Sequence, residues 1–224
     1  MLVFDGPETA DYANVVTLNQ AYLDLLRRDD ALQQGLTDMP ESLRRRITNL
    51  DRPETNRLAA TPFLLFSFRE NDDLYWTRIL AESSARDLFS ATPARDVDTL
   101  ISAALGFIWQ LAQHNTYALR LFSGTTLYWC ERIAELTFYR LLDAVRCAGD
   151  VPVPRFPEQH ELWRKLLASG VSGEQTIREA AQISALQAAL TSPPVNGSQT
   201  WSIAARNVRA PGLRVAEEND PQAR

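Results

Sequence analysis

From Val97 to Leu119 the chain carries one formal charge, Asp98, and within that stretch Val97, Ile101, Ala104, Ile108 and Leu111 recur at spacings of four and three. Leu100, Leu105, Trp109 and Ala112 fill the flanks, so a helix here is apolar around most of its circumference and must be buried. It therefore needs other elements around it. The uncharged apolar core from Leu100 to Ala112 contains Ser102, Gly106 and Gln110 and falls short of the ~20 residues a bilayer demands. The segment is expected to be the axle of a folded core, not a membrane span.

Composition agrees with such a core: 45 % hydrophobic and 23 % charged residues are the proportions of a globular protein. Nine glycines and twelve prolines are few, and four of the prolines lie beyond residue 190, so the body favours helices over a many-stranded sheet. Helices are expected over about Ala13–Arg28, with Val16, Asn19, Leu23 and Leu26 inward, over Pro40–Leu50, and over Arg52–Ala60 with Asp51 as N-cap. The apolar run Phe63–Phe68 is expected to be helical or irregular, since no partner strand is visible. Asn71, Asp72 and Asp73 open a helix through Trp76 and Leu80, and Thr92 before Pro93 caps the central one. A short helix ends at Ser123 and Gly124, and a long one is expected from Thr125 to Ala148, stopped by Gly149. After a Pro-rich connection over 150–157 come Pro157–Ser169 and a helix opened by Ser172 that ends near Leu190. From Ser192 the composition turns to Pro, Gly, Ser and Asn. The expected architecture is all-α, a single multi-helix domain over residues 10–190 around the buried helix, with a flexible C-terminal tail over 191–224.

No constellation of catalytic or ligand-binding residues stands out. His160 and Glu161 begin a zincin-like string, but Arg164 stands where the second histidine belongs. Glu131 and Glu135, one turn apart, read as solvated acids pairing with Arg132 or Arg140. Cys130 and Cys147 are too few for a disulfide framework, fall on different faces of one expected helix, and read as reduced, packed thiols. With His114 or His160 either could form a thiolate pair, since a cysteine needs a nearby base to act as a nucleophile. Neither Gly-x-Gly-x-x-Gly nor Gly-Lys-Ser/Thr occurs, so the expectation is no cofactor and no metal. Trp76, Trp109, Trp129 and Trp163 each fall on an expected helix as core anchors, with a ligand pocket beside Trp109 and Trp129 as the sharper alternative. The N-terminus lacks a basic segment followed by an apolar run, which points to a cytoplasmic location.

The net charge of −5 argues against a chain that coats nucleic acid or anionic membrane by bulk charge. A local exception exists. Arg44, Arg45, Arg46 and Arg57, with Arg52 nearby, form the densest basic cluster, in two short helices with the outline of a helix-turn-helix. These four are the candidate nucleic-acid contacts. Consecutive arginines fan out by ~100° each, and Glu41, Asp51 and Glu54 lie among them, so the competing reading is a solvated, internally paired face. Lys165 is the only lysine among 23 basic residues.

The strings Leu18-Asn19-Gln20-Ala21-Tyr22-Leu23, Gly35-Leu36, Leu58-Ala59-Ala60-Thr61, Leu64-Leu65 and Phe68-Arg69 resemble, in order and spacing, the flagellar transcriptional regulator FlhD family. The resemblance covers about residues 15–75. It implies an all-helical transcription factor that dimerises and binds DNA with a second protein, FlhC. Phe66 stands where that family carries a cross-linking cysteine, the segment after residue 75 has no counterpart there, and the partner's four zinc cysteines are absent. The expected function is a non-catalytic regulatory or interaction protein of the bacterial cytoplasm. It would have a protein partner or a second copy, and DNA reached through a partner. The alternatives are a helical ligand-binding or sensory module and an enzyme of unrecognised type.

Overall fold

The computed structural model describes residues 6–82, 95–149 and 152–191, and within them the chain is all-α apart from one two-stranded ribbon. The expected axle is present as the helix Asp96–His114. Val97, Leu100, Ile101, Ala104, Leu105, Ile108, Leu111 and Ala112 on it are all buried. A helix apolar on so many sides packs against four others: Thr9–Leu26, Thr116–Ser123, Leu127–Ala134 and Phe138–Ala148.

In chain order the helices are α1 (Thr9–Leu26), α2 (Asp30–Gln34), α3 (Glu41–Thr48), α4 (Arg52–Ala59), α5 (Asp73–Glu82) and α6 (Asp96–His114). There follow α7 (Thr116–Ser123), α8 (Leu127–Ala134), α9 (Phe138–Ala148), α10 (His160–Lys165) and α11 (Gln175–Thr191). Asp51 caps α4 as expected, accepting from the Glu54 N–H while the Glu54 carboxylate accepts from the Asp51 N–H. The short helix α2 was not expected; the Asp29 carboxylate caps it through the Ala31 and Leu32 amides.

Several expectations are corrected. On α1 the inward position is Val15, fully buried, and Val16 is exposed. The run Phe63–Phe68 does contain a strand, β1 (Phe66–Ser67), whose antiparallel partner β2 (Val153–Pro154) lies in the Pro-rich connection, with Phe66 opposite Pro154 and Ser67 opposite Val153. The partner was hidden because it is two residues long and one of them is proline, which survives at a sheet edge. The single helix expected over Thr125–Ala148 is two, so Cys130 and Cys147 sit on separate helices. The axle explains the break. Trp109 Nε1 on α6 donates to the Leu136 carbonyl at 2.8 Å and Gln113 Nε2 to the Ala134 carbonyl at 2.5 Å, while Thr137 Oγ1 accepts from the Arg140 amide to start α9. Carbonyls that a continuous helix would use internally are thus taken by α6. The helix expected over Pro157–Ser169 begins at His160 and widens into a π-helical turn over Leu166–Gly170. The Thr92–Pro93 cap and the flexible tail lie outside the described residues.

Two buried polar side chains tie these pieces together. Asn19, fully buried on α1, donates towards the carbonyls of Ala59, Thr61 and Phe63, and its Oδ1 accepts from the Leu65 amide at 2.8 Å. It fixes the irregular segment that follows α4 against α1. Among the described residues no helix is long and apolar enough to cross a membrane.

Candidate functional site

The second tie is Arg155, 3 % exposed, directly after β2. Its Nε donates to the Leu64 carbonyl at 2.6 Å and its Nη2 to the Phe66 carbonyl at 2.6 Å. Its Nη1 donates to the carbonyl of Ser123, at the C-terminal end of α7, where a cation is favoured. Nη2 also meets Glu70 Oε1 at 3.0 Å, and Glu70 Oε2 accepts from the Ser67 hydroxyl. Both charges are therefore buried and hydrogen-bonded, the condition under which a buried ion pair is tolerable. The residues beside the two partners, Arg69 and Phe156, are the non-glycine residues that take positive φ among the described residues, +58° and +53°. No sequence motif singled out Arg155 or Glu70; their 85-residue separation leaves no periodic signal.

The arginine cluster is drawn into internal pairs. Arg45 pairs with Glu41 one turn away at 2.5 Å, with both side chains largely exposed. Arg46 reaches across from α3 to α4 and grips Glu54 with two bonds, at 2.5 and 3.0 Å. That hydrogen bonding raises the Arg46 pKa and, first among its causes, holds the Glu54 carboxyl below its ordinary range. Arg57 donates to the Val171 carbonyl at 3.2 Å. Arg44 is half-buried and its Nε makes no hydrogen bond. The four arginines thus do not converge on one acceptor.

The remaining candidates stay apart. His114 ends α6 with Nδ1 3.0 Å from the Gln110 carbonyl, His160 begins α10, and Cys130 is buried on α8. Burial pushes the Cys130 thiol up to about 12, away from the thiolate a nucleophile needs. Cys147 lies 3.5 Å from Asp143 Oδ1. Glu131 and Glu135 are exposed, and among the described residues no three His, Cys, Asp or Glu side chains gather as a metal site would require. Trp76, Trp129 and Trp163 are core residues, with Trp76 and Trp129 edge to face at 5.5 Å, while Trp109 is partly buried. Near that pair, Asn71 Oδ1, Thr125 Oγ1 and Trp129 Nε1 are buried without hydrogen bonds.

An open groove of about 490 Å³ runs between α10 and α11, lined by Glu158, His160, Glu161, Arg164 and Lys165 on one side and by Ser184, Ala185 and Ala188 on the other. The broken zincin string lies on this wall, where Arg164 pairs with Glu161. Beside it α11 has no charged residue from Ala180 to Thr191, although Ile183 and Leu190 are exposed. The polar wall and the uncharged helix together make the hairpin of α10 and α11 the strongest candidate surface.

The class of protein these features define is an all-α domain organised on a central helix and clasped by a buried arginine. No family model, no curated protein and no solved structure matches the chain, so the likeness to the FlhD family rests on the quoted strings alone.

Proposed function

We propose that the chain is a non-catalytic interaction protein of the bacterial cytoplasm and that the hairpin of α10 and α11 is its working surface. One observation carries this reading: a solvent-facing helix with twelve consecutive uncharged residues and large apolar side chains at its edge, beside an open groove. Apolar side chains exposed along one uncharged helix face offer a place where another macromolecule can dock. The nucleophile that an enzyme reading would use, Cys130, is buried with a raised pKa.

Regulation of transcription with a partner is the finer form of the proposal and needs Arg44, Arg45, Arg46 and Arg57 to meet phosphates. Arg45 and Arg46 would first have to leave Glu41 and Glu54.

The experiment compares the tagged parent with Ile183→Glu/Leu190→Glu, isolated from the native cell and quantified by mass spectrometry. A stoichiometric companion, foreign or a second untagged copy, is expected with the parent and lost with the variant. Equal recovery of every companion from both proteins overturns the reading. DNA is scored in the same isolates at low salt: binding that falls steeply with added salt and vanishes in Arg44→Ala/Arg45→Ala/Arg46→Ala supports the transcriptional form.

A further inference from the structure

We propose that the hairpin of α10 and α11 docks against the same hairpin of a second copy of this chain, antiparallel about a two-fold axis. The inference rests on the interaction reading above and narrows it to one occupant.

The argument begins with α11. At 100° per residue, Ala180, Ser184 and Gln187 lie at the centre of its exposed arc, Ile177 on one edge, and Ile183 and Leu190 on the other. Ile177, Ile183 and Leu190 are 44, 54 and 49 % exposed. Small residues along the middle let a second helix approach closely, and the larger edge residues close over it. With no charge between Ala180 and Thr191, this arc sets no repulsion against an identical helix.

The wall formed by α10 decides the orientation. Along its exposed side the order is Glu158, Glu161, Arg164, Lys165: two acids, then two bases. A parallel copy would set acid against acid and base against base. A two-fold axis in the plane of the hairpin and perpendicular to its helices instead lays α11 on α11 and α10 on α10, each antiparallel. Glu158 then faces the partner's Lys165, while the internal Glu161–Arg164 pair of each copy lies against the same pair of the partner in reversed order, acid towards base. The sequence of charges is self-complementary when the copies run antiparallel and not when they run parallel, which is the property an isologous interface needs. Such order is not required by a foreign partner. The 17 residues of α11 are ~25 Å long and the helical stretch from His160 to Gly170 is ~16 Å, each about 10 Å wide, so the face offers on the order of 400 Å² per copy in projection. That is the low end of specific interfaces and fits a reversible dimer.

The uniqueness of Lys165 supplies the test. The full-length chain is sedimented over a range of concentrations, then treated with a water-soluble carbodiimide, which joins an amine to a carboxylate without a spacer. The expected results are a mass that climbs from one chain to two with concentration, and a covalent double-mass band whose cross-linked peptides join Lys165 to Glu158 or Glu161. Lys165→Arg keeps the charge, so it should lose that band and still sediment as a dimer. Ile183→Glu/Leu190→Glu should sediment as a single chain with unchanged helical circular dichroism. Glu158→Lys/Glu161→Lys should dissociate likewise, and adding Arg164→Glu/Lys165→Glu should restore the dimer by inverting the whole pattern. A parent that stays at one chain throughout overturns the inference, as does a dimer indifferent to both the apolar and the charge substitutions. A single-chain parent that still loses a foreign companion through Ile183→Glu/Leu190→Glu sinks the second-copy inference and leaves the interaction reading standing.

Discussion

Arg155 and Glu70 show how a buried charge pair acts as a structural clasp. The guanidinium holds three main-chain carbonyls as well as a carboxylate, so its removal leaves an unpaired carboxylate and orphaned carbonyls in the interior. Arg155→Ala is expected to cost about 3–5 kcal/mol, the range for breaking a buried pair from one side. Glu70→Gln keeps an acceptor for Arg155 and should cost distinctly less. Urea denaturation of the two variants checks the order; equal costs would show that the ion pair, rather than the carbonyl contacts, dominates. Asn19 does for the irregular segment after α4 what Arg155 does for the ribbon. It was legible in the sequence as an inward position on α1, but its partners, 40 to 46 residues away, were not.

Among elements, the axle was the most legible because its signal is local and redundant. Ile108 is fully buried there, so Ile108→Asp should cost well over ~3 kcal/mol and prevent folding, while Ile108→Val should cost about 1 kcal/mol. A cooperatively folded Asp variant would refute the burial. The break between α8 and α9 was illegible for a physical reason: Trp109 and Gln113 supply the competing bonds, and both lie on another helix. Between α3 and α4, the Arg46–Glu54 pair gives a pH-dependent prediction. Because the Glu54 pKa is lowered by folding, its contribution is present above the unfolded value of about 4.3 and is lost as pH falls through the folded value. The stability gap between parent and Glu54→Gln, followed by thermal melts, should be constant near neutrality and shrink on acidification. A gap that widens in acid contradicts the pairing.

At the scale of the whole molecule, periodicity made the all-α class readable, whereas the joints came from isolated contacts between distant residues. The candidate surface was only half visible. The absence of charge from Ala180 to Thr191 can be read from the sequence, but which side of α11 stays exposed depends on how the π-helical turn sets it against α4 and α10. The arginine cluster was conspicuous as a string, and its disposition is set by Glu41, Glu54 and Val171.

The clasp also sets a clock. Glu70 leaves the ribosome 85 residues before Arg155, and at about 5–20 residues per second that is a wait on the order of 4–17 s. Throughout it the carbonyls of Leu64 and Phe66 lack their donor, and β1 lacks β2. Until residue 155 is made, the apolar run Phe63–Phe68 is without the guanidinium and the strand that hold it in the finished fold.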